Sequence, residues 1–172
     1  MTSTTDKLVI LFVFDIMEMQ LTEDSVLDIC CNENNWMLYI DCKEAFSELV
    51  DAALISMTPN NSNGRPLYAI TNDGSQCLAS FYTRIPSHLR DMITDYVRSN
   101  RLRVRKQQEY FSDYYKNQDG SYSVILKIFD GNQTILDLKL NVATRQTAKW
   151  IFKNWGDKAS QVYGSIHELL MD

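Results

Sequence analysis

The pattern of residues in the middle of the N-terminal half most restricts what this chain can fold into. Apolar residues recur at spacings of three and four from Ala45 to Ala53, which predicts a helix from Asp41 to Ala52 with one buried stripe. Asp41 and Glu44 have the Asp-x-x-Glu spacing of a capping box, in which the first side chain accepts hydrogen bonds from the free amides of a new helix. We therefore expect the helix to begin at Asp41.

Two β-prone runs, residues 54–58 and 67–71, follow this helix. The segment between them, residues 59–66, consists of turn formers and charged residues, which predicts an antiparallel hairpin with a long polar loop. The sequence Thr71-Asn72-Asp73-Gly74 then has the spacing of a new helix start. A short apolar run at residues 36–40 precedes the helix expected at Asp41 and predicts a third strand of the same small sheet.

The N-terminal segment is apolar but too short to cross a membrane. The run from Leu8 to Phe14 has no basic start and no small-residue cleavage site, and it soon meets Asp15 and Glu18. We expect a buried helix from Leu8 to Met19 in a cytoplasmic protein that does not contact membranes. Thr22 is a good N-cap and predicts a second helix behind it.

The residue types that carry catalysis or hold metals are sparse. The four cysteines, Cys30, Cys31, Cys42 and Cys77, lack the paired spacing of a metal site, and we interpret them as packed thiols. The chain has two histidines, no Gly-rich phosphate loop, and no serine or cysteine with a recognisable base. We therefore expect no catalytic residue, no metal and no cofactor, and we expect that the protein is not an enzyme.

The two halves of the chain differ in charge. Residues 1–85 have four basic side chains against twelve acidic ones, a net charge of −8, whereas residues 86–172 have thirteen against ten, a net charge of +3. Pro86 disfavours helix in the residue before it and suits the first turn of a following helix. We therefore expect one domain over residues 1–85 and a second over residues 86–172.

Helical patterns give way to strand patterns in the second half. Residues 87–99 predict a helix, and Arg101, Arg103 and Arg105 alternate with apolar residues, which would place three arginines on one face of a strand. An antiparallel meander follows and is covered by a long helix capped by Thr144, with apolar residues at helical spacing. The predicted strands are residues 108–116, 122–129 and 134–142, with an Asp-Gly turn at residues 119–120 and a turn at residues 130–132.

Aromatic residues in the second half allow two interpretations. They could line a cleft between sheet and helix that binds a small-molecule effector, or they could fill the core. The residues concerned are Tyr110, Tyr114, Tyr122, Trp150 and Trp155. The sequence leaves both interpretations open.

Several short motifs carry a resemblance to known proteins. They are Leu49-Val50 followed by Leu54-Ile55, Ile70-Thr71 with Gly74, Arg84-Ile85-Pro86, Asp113-Tyr114-Tyr115, Gly120 with Tyr122, Leu136 with Leu138-Lys139-Leu140, and Trp155 with Tyr163. On these motifs, residues 5–84 resemble the winged helix-turn-helix domain of PadR-type bacterial transcription regulators. The whole chain is similar to an uncharacterised bacterial family in which this domain precedes a strand meander and a long helix. The resemblance implies an α+β fold and a DNA-binding regulator that forms a homodimer.

The winged-helix interpretation predicts three groups of residues that could contact DNA. Lys43 and Ser47 would lie on the outer face of the recognition helix, and Asn60, Asn61, Asn63 and Arg65 would lie in the wing loop. Arg101, Arg103 and Arg105 could add phosphate contacts, although a solvated strand edge paired with the acidic half explains them as well.

The acidic charge of the first half also permits a function without DNA. Glu44, Glu48 and Asp51 share the helix surface with Lys43, and DNA affinity comes largely from neutralised phosphates. The alternative is a winged helix that binds another protein through its acidic surface or through the long C-terminal helix.

Overall fold

The computed structural model describes residues 3–58, 66–131 and 133–172, and it has an α+β fold. These residues form six α-helices, a two-stranded antiparallel sheet and a three-stranded antiparallel sheet. The chain divides into two compact units, Met1–Val104 and Arg105–Asp172. The boundary that we expected between residues 85 and 86 is earlier than the observed one. The helix that follows Pro86 belongs to the first unit, because it buries Ile93, Val97 and Val104 in the core of that unit.

Helix α1 (Thr4–Met17) forms the centre of the first unit. Ser3 and Asp6 make a capping box at its start, which satisfies amides that the helix itself leaves free. Each residue from Leu8 to Phe14 is 4% exposed or less, so this part of the helix is buried on all sides. The buried helix that the sequence predicted is confirmed, and it begins four residues earlier than expected.

Helix α2 (Glu23–Leu27) begins at Thr22, whose hydroxyl accepts a hydrogen bond from the Ser25 amide at 3.1 Å, as predicted. It continues as a π-helical turn, Asp28–Glu33.

Helix α3 (Tyr39–Asp51) begins two residues before the expected Asp41. Its N-cap is Leu38, which makes no side-chain capping bond, so the predicted capping box of Asp41 and Glu44 is wrong. The apolar run at residues 36–40 does not form a strand either. The Trp36 amide donates to the Cys30 carbonyl oxygen at 2.8 Å, which closes a turn, and the end of the run enters the helix.

The predicted hairpin is confirmed in the strands β1 (Ile55–Met57) and β2 (Tyr68–Ile70), which pair antiparallel. The residue that extends this small sheet is Leu21, between α1 and α2. Its amide donates to the Tyr68 carbonyl oxygen at 3.0 Å, and the Tyr68 amide donates to the Leu21 carbonyl oxygen at 2.9 Å. The third position in the sheet is therefore filled by a single bridge residue that the sequence pattern does not reveal.

Helix α4 (Asn72–Phe81) starts at Thr71, whose hydroxyl accepts from the Gly74 amide at 3.0 Å and donates to the Ala53 carbonyl oxygen at 2.7 Å. The predicted helix start is thus confirmed. A Cβ built on Gly74 would lie 2.1 Å from the Leu54 carbonyl oxygen. Only glycine allows α4 to approach the backbone before β1 this closely.

A 3₁₀ turn, Tyr82–Arg84, leads to helix α5 (Ser87–Glu109). The strand predicted for Arg101, Arg103 and Arg105 is wrong, because the helix continues through all three residues. Val104 is buried on the core side, whereas Leu102 is 71% exposed. Alternation over five residues is also compatible with a helix, and no proline or glycine interrupts this segment.

A three-membered contact fixes α5 against the π-helical turn. The Arg103 Nη2 atom donates to Glu33 Oε2 and to the Tyr96 hydroxyl oxygen, both at 2.8 Å, and the Tyr96 hydroxyl donates to Glu33. Burial raises the pKa of Glu33, but the hydrogen bonds from Arg103 and Tyr96 outweigh it and hold this pKa below its usual value. The folded state therefore stabilises the ionised carboxylate.

The second unit is an antiparallel meander with one helix across it. The strands β3 (Tyr110–Lys116), β4 (Tyr122–Asp130) and β5 (Gln133–Val142) pair in chain order, and α6 (Arg145–Met171) follows the Thr144 N-cap. Meander, long helix and cap are confirmed. Gly120 has a positive φ of 88°, as its place in the Asp-Gly turn requires. Asn132, in the second predicted turn, lies outside the described residues.

The meander and α6 bury a shared core. Val124, Ala148, Trp155 and Ala159 are at most 3% exposed, and the Trp155 indole nitrogen donates to the Lys127 carbonyl oxygen at 3.2 Å. The three tyrosines proposed for a cleft, Tyr110, Tyr114 and Tyr122, pack against this core. These contacts favour the core interpretation for four of the five aromatic residues, whereas Trp150 is 63% exposed.

No helix within the described residues combines the length and apolar character needed to cross a membrane.

We expect Gly74→Ala to lower the free energy of unfolding by about 3 kcal/mol, because the new methyl group must displace backbone rather than a flexible side chain. Gly156→Ala is the matched control, since a Cβ on this helical glycine meets nothing within 4 Å. The control should leave stability unchanged or raise it by up to about 1 kcal/mol. Urea unfolding followed by circular dichroism measures both, and equal stability of the two variants would contradict the close approach.

We expect Glu33→Gln to lower the free energy of unfolding by about 1 kcal/mol at pH 7. Because the pKa of Glu33 is lowered on folding, its contribution is complete above the unfolded glutamate pKa of about 4.3 and is lost as the pH falls through the folded value. Urea midpoints of parent and variant should therefore differ at neutral pH and converge near about pH 3. Asp95→Asn, which removes an exposed carboxylate of α5, is the control and should leave the urea midpoint at pH 7 unchanged.

Candidate nucleic-acid interface

The inner face of α3 is held in place by aromatic and aliphatic packing. Cys42, Ala45, Phe46 and Leu49 are at most 3% exposed. The Phe46 ring meets the Tyr68 ring edge to face, with centroids 4.9 Å apart. The helix is therefore fixed to the hairpin on one side, and its opposite side is exposed.

The outer face of α3 carries the residues that the amphipathic pattern placed there. Lys43, Glu44, Ser47, Glu48 and Asp51 are all exposed. Lys43 and Ser47, the two candidates for DNA contact, lie on the same exposed surface, one helical turn apart. The predicted orientation of the helix is confirmed.

One carboxylate lies near the single lysine of α3, and a carboxylate of α3 is paired with a lysine of α1. Lys43 Nζ lies 3.7 Å from Glu23 Oε1, and Glu48 Oε2 forms an ion pair with Lys7 Nζ at 2.5 Å. The Lys43 side chain is 49% exposed, so its ion pair is weak and readily exchanged for another anion. α3 therefore offers few positive charges.

The first turn of α3 has an apolar surface that the sequence reading missed. Leu38, Tyr39 and Ile40 are 73%, 51% and 68% exposed. Contiguous exposed apolar residues are typical of surfaces that bind a partner. The signal in the sequence is the run itself, for which we predicted a strand because a short run before the recognition helix often supplies the third strand of the small sheet.

The structure describes the hairpin as far as Thr58 and again from Pro66. The Thr58 amide donates to the Leu67 carbonyl oxygen at 2.8 Å, and the Thr58 hydroxyl donates to the same oxygen at 3.1 Å. The wing candidates Asn60, Asn61, Asn63 and Arg65 lie outside the described residues.

The three arginines expected on one strand face have separate partners instead. Arg101 donates to the Ile16 carbonyl oxygen, and Arg103 pairs with Glu33. Arg105 Nε donates to Glu109 Oε1 at 2.9 Å, one helical turn away. The structure therefore does not bring them together as a basic strand face.

Three thiols connect the start of α3 to the π-helical turn. Cys42 makes side-chain hydrogen bonds with Cys30 and Cys31, and all three residues are at most 5% exposed. The bond from Cys30 lowers the pKa of Cys42 more than burial raises it, and the pKa of Cys30 is raised in turn. The interpretation as packed thiols is confirmed for these three residues, and Cys77 is partly exposed.

Comparison with known proteins establishes the family of the chain. The model of the family described as "Domain of unknown function (DUF4364)" matches residues 6–170, which is nearly the whole sequence. Neither the curated proteins nor the solved structures contain a match. The chain belongs to the DUF4364 family.

Proposed function

We propose that the first unit is a winged helix-turn-helix domain and that the protein is a DNA-binding transcription regulator that acts as a homodimer. The order of elements supports this proposal. α1 is followed by the bridge residue Leu21, then α2, α3 and the β1–β2 hairpin, which is the order found in winged helices. The observation that carries the proposal is α3 itself, which is fixed on its inner face and exposed along its whole outer face.

In this function α3 lies in the major groove of a DNA duplex. Lys43 and Ser47 reach base edges or phosphates, because a lysine ammonium and a serine hydroxyl can each bond to both. Glu23 competes for Lys43 only through an exposed contact of 3.7 Å, so DNA can replace it at small cost. Asn60, Asn61, Asn63 and Arg65, which lie between β1 and β2 in the sequence, are the proposed contacts to the DNA backbone or the minor groove.

The first turn of α3 supplies contacts of another kind. Helix residues near the N-terminus are the ones that meet base edges in helix-turn-helix complexes. Leu38 and Ile40 are exposed there, and an apolar side chain in the major groove contacts the thymine methyl group. A recognition helix with one lysine thus gains affinity from apolar contacts as well as from charge.

We expect Lys43→Ala to weaken DNA binding about tenfold and to reduce the slope of log K against log salt by about one, because one phosphate contact is lost. The probe is a duplex selected from a random library by the parent protein, titrated by fluorescence anisotropy between 50 and 200 mM salt. Arg98→Ala removes the same charge from an exposed position on α5 and should leave both quantities unchanged. Failure to enrich any duplex at 50 mM salt would contradict the proposed function.

Binding to a protein partner is the second candidate function, and the surface of α3 favours it in one respect. Its exposed apolar first turn lies next to Glu44, Glu48 and Asp51 on the following turns. An apolar patch bordered by carboxylates is complementary to an amphipathic basic segment of another protein. This candidate uses the same helix but requires no DNA.

One double variant tests whether the exposed apolar residues of α3 contact DNA. If α3 reads DNA, we expect Leu38→Ser with Ile40→Ser to weaken binding of the selected duplex about tenfold, because contacts with thymine methyl groups are lost. Deoxyuridine in place of thymidine should then weaken binding of the parent protein but not of the variant. Leu102→Ser, at a position 71% exposed on α5, is the control and should change nothing. Full DNA affinity in the double variant would instead show that Leu38 and Ile40 do not contact DNA and are free to bind another protein.

A further inference from the structure

The outward face of α6 has the features of a surface that pairs with its own copy. Exposed residues recur on this face at spacings of three, four and seven, opposite the buried Ala148, Trp155 and Ala159. They include Trp150, Lys153, Asp157, Ser160, Gly164 and Glu168, with Gln146 and Met171 near the two ends. Trp150 is 63% exposed and Met171 is 82% exposed, at opposite ends of the same helix.

Charge along α6 is divided between its two halves. Residues 145–156 contain three basic side chains and no carboxylate, whereas residues 157–172 contain three carboxylates and one lysine. A second α6 therefore fits this helix when it runs in the opposite direction, because each basic half then lies beside an acidic half. A parallel arrangement would place like charges together.

We propose that the outward faces of two copies of α6 pair antiparallel across a two-fold axis next to Ser160. In this register Trp150 of one copy meets Met171 of the other, and Lys153 meets Glu168. Each contact occurs twice because the interface is symmetric. The occupant of the exposed face is thus a second copy of this chain.

The chemistry of each pair suits this register. A methionine sulfur against a tryptophan ring is a favourable contact, and burying both side chains removes two exposed apolar groups from water. An open surface groove of about 400 Å³ lies beside Trp150, between side chains of α6 alone (Gln146, Lys149, Lys153 and Asn154), and in this register the incoming Met171 side chain lies against it. Gly164 has nothing within 4 Å of its Cβ position, so the partner helix can approach closely there.

This inference rests on the homodimer in the proposed function, but it can be tested without DNA. A dimer that forms through α6 and fails to bind DNA would leave the inference standing and remove the proposed function. A chain that binds DNA as a monomer would do the reverse.

The first test reverses charges across the expected contact. We expect Lys153→Glu to raise the dimer dissociation constant about tenfold in sedimentation equilibrium, because two attractive contacts become repulsive. Adding Glu168→Lys to this variant should restore the parent value, since the pair is then reversed. Lys158→Glu makes the same charge change away from this face and should leave the constant unchanged. Equal effects of Lys153→Glu and Lys158→Glu, or a parent chain that is monomeric at about 100 μM, would overturn the inference.

The second test determines the direction of pairing. Ser160→Cys should be joined to its own copy by a short bismaleimide, because this position lies next to the two-fold axis. Gln146→Cys, on the same face but near one end of the helix, should not be joined to itself, since the two copies lie far apart when the helices are antiparallel. The parent chain controls for the native cysteines. Joining of Gln146→Cys without joining of Ser160→Cys would overturn the antiparallel register.

Discussion

The burial of α1 on all sides is the constraint on which the first unit depends. A helix with no polar face over residues 8–14 must be covered by other elements in every direction, because exposed apolar surface costs about 25 cal/mol per Å². Leu21 enters the small sheet four residues after α1 ends, so the same segment that leaves the core also holds the hairpin. α3 completes this cover with Phe46, which contacts both Phe14 of α1 and Tyr68 of the hairpin. Its outer face is exposed as a consequence of this packing.

The sequence alone predicted the start of a helix correctly wherever one local rule determines that start. Thr22, Thr71 and Thr144 each begin a helix as expected, because a hydroxyl that accepts from a free amide acts within three residues. The sequence did not predict the start of a helix where a contact outside that helix determines it. Asp41 has the correct spacing for a cap, yet the turn that Trp36 closes onto Cys30 lets α3 begin earlier and leaves Leu38 at the cap position.

The basic residues of the candidate site also fall into two groups: those that a local pattern could place and those that it could not. Lys43 and Ser47 could be placed on the outer face of α3 from periodicity alone, whereas the partners of the arginines could not. Arg103 forms an ion pair with Glu33, which lies seventy positions earlier in the chain, and no pattern within the helix indicates that pair. A run of alternating arginines indicates a basic surface only when its backbone is known to be extended, since a helix sends successive side chains in different directions.

If α3 is the recognition helix of the proposed regulator, its one available lysine makes pairing of two chains thermodynamically important. Few phosphate contacts per chain mean that a single copy binds a half-site weakly, because each released counterion contributes a separate increment of affinity. Two joined copies bind the second half-site at an effective concentration set by their linkage, which can raise overall affinity by about 10² to 10⁴ without any new contact. By linkage, DNA that engages both copies of α3 must also tighten the contact between the two α6 helices. The weak charge of α3 and the proposed pairing of α6 are therefore consistent with each other, because in the proposed regulator the DNA affinity would depend on the concentration of the chain.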